Sequence, residues 1–428
     1  MAKADLSVTR WRDDKDVVFV WGIDELGNVG SVDGIDFTDW GRHFESPQSF
    51  MQQTFLPTIE GYPSVDFTIG AWLGAYDGAT PAAELLDSVV SFEPGSREWE
   101  QWASDVVAPL SGHDQIELVA HGLGHEDWAS LSADERHRRV KRIVELFERA
   151  TGERPAGFNT WPYGAIPRDS MPELLAQHGL LVTGVLTTPQ LSRKQYLKNA
   201  VRRIVQGKRY VDVRNPTKPL GRAVEQGPGF LQRVGEMGYW RGNGRRIVSV
   251  PYTGQLKRNS AAAITDRIQR LIDTADEYGA PTFYMFSHLR GTSPEQSSPA
   301  REPDGIEGQM EKFERVLTWV ENRDSLWCTT LGKATSYFDM RESATVTTER
   351  DRDEITFEID CQDCLPWPEP VNLTFELTGV SSEIDDVWTT EKGVRISTGS
   401  AERKGEAARF NCEVSPDDEP ISGRIVLG

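Results

Sequence analysis

The chain has 428 residues, 38% of them hydrophobic, with 13 Trp, 17 Phe and a formal net charge of −19. That content supports a buried core and excludes a wholly disordered chain. The acidic balance excludes a surface that binds nucleic acid regardless of sequence. Lys supplies only 12 of the 47 basic residues. This is either the surface of a protein kept hydrated in concentrated salt, a halophilic adaptation, or that of an ordinary acidic protein from a GC-rich genome. No apolar run approaches the roughly 18–20 residues of a membrane-crossing helix. Met1 to Leu6 lack the apolar centre of a secretory signal. That leaves a cytoplasmic protein, or one exported by a leader absent from this chain. Four cysteines are too few for a disulfide scaffold. Cys328 reads as a buried strand residue, and Cys361, Cys364 and Cys412 as structural or free thiols.

Residues 1–15 read as an N-terminal extension. Asp16–Ile23 (DVVFVWGI) is a β-rich apolar run that predicts a first buried strand, ending at Asp24-Glu25. Ser64–Ile69 predicts a second strand. Glu84–Val90 and Glu98–Val107 have helical composition. Ile116–Ala120 predicts a strand that leads into His121-Gly122-Leu123-Gly124-His125. Ser132-Ala-Asp-Glu135 predicts a capping box, Ser132 capping and Glu135 reaching back, for a helix over Ala133–Thr151. Val140, Ile143, Val144 and Phe147 fall on one face of it. A loop through Trp161 follows, then a helix over Ser170–His178 ended by Gly179 and a strand over Leu180–Leu186. Strand, loop and helix alternate, which predicts an α/β layout with parallel strands. Sites in such folds lie at the carboxyl ends of strands, and Asp24, His121 and the Trp161 loop all stand there.

Residues 189–258 carry 16 Lys or Arg against Asp212, Glu225 and Glu236. This stretch reads as a rim for an anionic or sugar substrate, or as a solvated basic face that pairs with acidic surface elsewhere or with a partner subunit. Arg245–Val250, a helix over Ser260–Tyr278, Thr282–Ser287 ahead of His288, a helix from Gly308 to Asn322 and a strand near Leu326–Thr330 complete a domain over residues 16–340. From about Arg341 the pattern changes to period-two alternation. Ile355–Ile359, Val371–Leu377, Val394–Ser397, Arg409–Val414 and Gly423–Leu427 predict a small antiparallel β-sandwich over residues 341–428.

Two imidazoles four residues apart can point the same way from a helical turn or a strand-to-loop corner and reach one metal ion. A pair of packed or exposed histidines without a ligand is the ordinary alternative.

Residues 116–188 go further. They contain the HxxxH at a strand end, then Leu131-Ser132 and Glu135 at a helix start. Thr151-Gly152, Pro155 and Gly157-Phe158 follow, and Pro162-Tyr163-Gly164 ends the loop. This stretch resembles the polysaccharide deacetylase (NodB-homology, carbohydrate esterase family 4) domain. His288 in SHLRGT resembles that family's late histidine, and Asp24-Glu25 sits where the family has its early aspartate pair. The resemblance implies a distorted (β/α) barrel that removes acetyl groups from an N- or O-acetylated saccharide. It also implies a divalent metal, usually Zn2+, held by Asp24, His121 and His125. A carboxylate at Asp24 or Glu25 would take the proton of the attacking water. Tyr163 would serve the oxyanion through its backbone N–H, and His288 would protonate the leaving amine. Apart from the resemblance, Trp161 reads either as an aromatic face for the sugar or as a core residue, and Asn159 and Arg290 as further substrate contacts.

Two departures touch the base. With Asp24 as ligand, the residue two positions earlier is Gly22, which has no side chain to take a proton. With Asp24 as base, Glu25 becomes the ligand. The arginine that the family carries to orient its base is replaced at about Asn159. Three readings therefore stand: a saccharide deacetylase, an amidase on a non-sugar amide, and a catalytically impaired barrel that binds a glycan or partner. The acetylated saccharide substrate is the partner that the resemblance implies, and a homo-oligomer stays open.

Overall fold

The computed structural model describes residues 5–27, 29–31, 54–74, 89–123, 128, 131–155, 157–159, 170–185, 235–256, 259–287, 305–379, 384–389, 395–396, 403–404, 407–416 and 420–427. The chain divides into two compact units, Phe19–Gly332 and a second made of Met1–Val18 with Lys333–Gly428.

In chain order the first strands are β1 (Asp5–Val8), β2 (Val17–Gly27), β3 (Val29–Ser31), β4 (Phe67–Trp72), β5 (Val89–Ser91) and β6 (Ile116–Ala120). Then come β7 (Gly157–Asn159), β8 (Val182–Val185), β9 (Gly238–Gly242), β10 (Arg245–Gln255), β11 (Thr282–Ser287) and β12 (Leu326–Thr329). From β2 to β11 the larger unit orders its strands β2-β4-β6-β7-β8-β10-β11, and β11 returns to pair with β2, so the sheet closes. The pairings from β2 round to β11 are parallel. The predicted (β/α) barrel is thus a closed seven-stranded barrel, with β12 beside β2 and β9 antiparallel to β10.

Alternation along each strand sends its two sets of side chains to opposite faces. Phe19, Trp21, Phe67 and Phe283 form an aromatic layer on one face, and Phe313 of the helix Gly305–Glu321 packs on it, 4.6 Å from Trp21 and 5.8 Å from Phe67 between ring centroids. Gly22 and Asp24 take the other face of β2. At the amino ends of β4 and β6, Thr68 Oγ1 accepts from the Leu331 N–H (2.8 Å) and the Glu117 carboxylate from the Gly332 N–H (2.9 Å).

The helix Ala133–Thr151 has the predicted bounds, and Ser132 Oγ accepts from the Glu135 N–H at 3.2 Å, a cap worth about 1 kcal/mol. The Glu135 carboxylate turns along the helix to Arg138 and Arg139 rather than serving as the predicted reach-back. Those arginines stand three and four residues on, the spacing at which helical side chains meet. The expected helix over Glu84–Val90 is corrected at its end: Val89–Ser91 is a strand paired antiparallel with β3, as two adjacent β-branched residues favour. No described helix is long and apolar enough to cross a membrane.

Just after the helix Met171–Gln177, His178 faces His137, ring centroids 4.8 Å apart. Burial, then the charges of His137, Arg154 and Lys141, lower the proton affinity of His178 below its ordinary value. The unfolded chain therefore takes up this proton at a higher pH than the folded one, so acid favours unfolding. The stability held by neutral His178 is complete above about pH 6.5 and falls as the pH drops through and below that value. Melting temperatures measured from about pH 8 to about pH 5 will fall on the acid side, and His178→Gln will flatten that fall. An unchanged profile in the variant would assign the slope to other groups.

The smaller unit holds β1 and the remaining strands: β13 (Thr345–Asp351), β14 (Glu354–Asp360), β15 (Val371–Thr378), β16 (Ile384–Thr389), β17 (Arg395–Ile396), β18 (Arg403–Lys404), β19 (Ala407–Val414) and β20 (Ile421–Leu427). They form two antiparallel sheets, β1-β15-β19-β18 and β13-β14-β20-β16-β17. Phe410 stacks on Phe375 within the first sheet (5.5 Å) and meets Phe357 of the second (6.1 Å), as a sandwich core requires. The segment read as an N-terminal extension supplies β1, which pairs along β15. The helix Leu331–Ser343 spans the boundary read at residue 341. Within the unit, Tyr337 donates to the Thr9 carbonyl (3.2 Å), and burial pushes its phenol up to about 12. Buried Asp339 accepts from Trp367 Nε1 (2.9 Å) and the Leu365 N–H (2.7 Å). Cys361 and Cys412 are buried thiols, and burial pushes Cys412 up to about 11.

Candidate functional site

β4 lies between β2 and β6, so residues at the carboxyl ends of β2 and β6 can meet across it. Along β2 the register against β4 shifts: Ile23 faces Ile69, but Leu26 faces Ala71. Asp24 and Glu25 thus share the space opposite Gly70. An extra residue of this kind bends a strand and re-aims its side chains. The strand consequently continues past Asp24-Glu25, where the sequence predicted its end, to Gly27.

Asp24 and His121 are fully buried, at 0% and 1% exposure. His121 follows β6, and its N–H donates to the Ala71 carbonyl at 2.8 Å. A Cβ placed on Gly70 would stand 3.1 Å from Asp24 Oδ1 and 3.4 Å from both Cβ and Cγ of His121. The carboxylate and the imidazole therefore flank one point, and glycine there lets them approach. The Trp72 ring lies 6.1 Å from the His121 ring. The structure brings together two of the residues singled out in the sequence, from strands that are 97 residues apart between Asp24 and His121.

Two residues that the sequence did not single out complete this part of the barrel. Tyr252, on β10, donates its hydroxyl to Asp24 Oδ2 over a long 3.4 Å. Tyr284, on β11, packs tilted against Tyr252, with ring centroids 4.6 Å apart and planes 34° apart. A Cβ on Gly22 would lie 2.4 Å from Tyr284 Cε2 and 2.8 Å from its hydroxyl oxygen. The place that a side chain at position 22 would take is filled by Tyr284. Within their own strands both tyrosines read as core residues. Only the pairing of β10 with β11, and of β11 with β2, carries them to Asp24.

The backbones of Glu25 and Asn159 belong to β2 and β7, and their side chains lie outside the described residues. So do His125, Trp161, Tyr163, His288 and Arg290, and the basic stretch from 189 to 234. Among the described residues no group of three or more His, Cys, Asp or Glu is placed to hold a metal ion. Asp24 and His121 are two donors of the kinds that bind zinc, a carboxylate oxygen and an imidazole nitrogen. Their burial side by side across Gly70 fits such an ion.

No family model matches the sequence. No curated protein matches it either. Among solved structures, the chain is similar to a protein of Mycobacterium smegmatis provisionally assigned as a polysaccharide deacetylase, at 13% identity and a TM-score of 0.39, covering 82% of this chain and 100% of that one. It is also similar to Agd3, a novel carbohydrate deacetylase, at 10% identity and a TM-score of 0.46, covering 96% of this chain and 66% of that one. A mutant of BA3943, a CE4 family pseudoenzyme, matches at 10% identity and a TM-score of 0.33, covering 72% and 63%. The barrel is defined by its own strand pairing.

Proposed function

We propose that the chain is a metal-dependent hydrolase that removes acetyl groups from an N- or O-acetylated saccharide. The observation that carries this reading is the buried pair of Asp24 and His121 flanking Gly70 at the carboxyl ends of parallel strands. In this reading Asp24, His121 and His125 hold a divalent ion, Zn2+ by the donor set. Such an ion, when bound, supplies Lewis-acid polarisation of the acetyl carbonyl and acidifies water. Glu25 is the carboxylate next in sequence to Asp24 and takes the proton of the attacking water, unless the two exchange roles. His288 returns a proton to the departing nitrogen or oxygen. The Tyr163 backbone N–H steadies the oxyanion. Trp161 offers an aromatic face to the sugar, and Asn159 and Arg290 offer polar contacts.

Gly22 favours a second reading. With Tyr284 filling the place two residues before Asp24, no carboxylate stands there, and a barrel that binds a glycan without cleaving it would look the same. One experiment separates the readings. The purified chain is loaded with Zn2+, its metal content is measured, and acetate release is followed from an acetylated chito-oligosaccharide and an O-acetylated xylan. About one ion per chain, together with acetate release that a chelator stops and Zn2+ restores, is the expected result. Metal without acetate, but with saccharide binding, would replace the hydrolase by the binder. No metal after loading would remove the basis of the proposal.

A further inference from the structure

A carboxylate has two oxygens, and what each one faces decides how it can grip a cation. At Asp24 they face different groups. Oδ1 lies 3.1 Å from the point where a Gly70 Cβ would stand, and His121 Cβ and Cγ lie 3.4 Å from that same point. Oδ2 takes the hydroxyl of Tyr252 at 3.4 Å. Tyr252 is 8% exposed and Tyr284 is fully buried, so neither ring is free to swing into solvent. Tyr284 packs tilted against Tyr252 and occupies the notch that Gly22 leaves. Even a methyl group at position 22 would collide with its ring.

The geometry points to Tyr252 as a positioning residue. It engages Oδ2 and so sets Asp24 to present Oδ1, the oxygen on the His121 side, with Tyr284 bracing it through the notch at Gly22. This deepens the proposed metal site and rests on that reading. It also gives Gly22 a positive role: glycine there admits the brace, whatever else supplies the base. Partners that orient a ligand in this way are commonly worth about 10–100-fold in metal affinity.

The test uses the full chain and two readouts besides hydrolysis. One is Zn2+ affinity, by competition with a chromophoric chelator, and the other is the visible spectrum of the Co2+-loaded protein. Tyr252→Phe keeps the ring and removes only the hydroxyl. It is expected to weaken Zn2+ binding about 10–100-fold and to shift the Co2+ bands, with the melting temperature of the metal-free protein little changed. Gly22→Ala is expected to weaken binding in the same direction. The double variant is expected to be no weaker than Tyr252→Phe alone, because both changes act through one phenol. If wild type binds Zn2+ and Tyr252→Phe binds it within about threefold with the same Co2+ spectrum, the positioning role is overturned and the metal site stands. If wild type does not bind Zn2+, the metal site and this inference fall together. Should Gly22→Ala fail to fold, Tyr252→Phe decides alone.

Discussion

On the proposed reading, Asp24→Asn and His121→Ala will each empty the metal site, and acetate release will fall by about a thousandfold or more in both, a loss of about 4 kcal/mol or more in transition-state stabilisation. The reason lies in the donors. Asn in place of Asp keeps the volume and the acceptor that Tyr252 reaches, but it removes the negative charge that makes a carboxylate a ligand. Ala in place of His121 removes the imidazole outright and leaves a cavity beside Trp72 and Gly70. The two changes therefore differ in what they do to the fold. His121→Ala will also lower the melting temperature, because a buried ring is lost. Asp24→Asn, being isosteric, will not leave a hole. Zinc content after loading, acetate release and thermal melting of each variant check all three statements. Full zinc occupancy in both variants would show that the ion sits elsewhere.

Much of the barrel was legible because its strands are short apolar runs between turn signals. Ile116–Ala120 and Thr282–Ser287 have their predicted bounds, since both sides of such a strand are buried and no alternation confuses the reading. The helix Ala133–Thr151 was legible through Ser132 and Gly152, which mark its ends. Less legible were strands whose existence depends on a distant partner. β1 is four residues of mixed polarity that make sense only along β15. The three-residue β7 reads as loop in the sequence, and it is a strand because Phe158 aligns with Ala120 and Thr183. The site divides in the same way. His121 announced itself by its spacing to His125, and Asp24 by its place after a strand. Tyr252 and Tyr284 give no local signal, because an aromatic inside a strand reads as core. Gly22 reads as an absence in the sequence, while the structure gives it Tyr284 as a neighbour. A sequence pattern reports what one strand buries, and a closed barrel adds contacts that only closure creates.

That closure leads to the second large effect. Trp21→Ala will destabilise the barrel by about 3–5 kcal/mol, the range for removing a buried indole. Trp21 is fully buried, with its ring edge-on to Phe313 at 4.6 Å and to Phe19 at 5.8 Å. Its Nε1 donates to Ser287 Oγ at 2.9 Å, and that hydroxyl donates onward to the Gly22 carbonyl at 3.2 Å. One side chain thus joins the last strand of the barrel to the first and packs the outer helix on the seam. Trp21→Phe separates these contributions: it keeps an aromatic ring against Phe313 and removes the donor to Ser287. It is expected to cost about 1–2 kcal/mol, the loss of one buried hydrogen bond with a small cavity. Denaturant midpoints of the three proteins measure both values. A loss below about 1 kcal/mol for Trp21→Ala would mean that the β2–β11 seam is held by something other than this ring. The seam also sets the backbone that leads into the site. Ser287 fixes the Gly22 carbonyl, Gly22 admits Tyr284, and Asp24 stands two residues on. A weakened seam will therefore disturb the Asp24 carboxylate before it unfolds the barrel, and, with the metal site as proposed, Zn2+ affinity measured well below the melting temperature of Trp21→Ala will already be reduced.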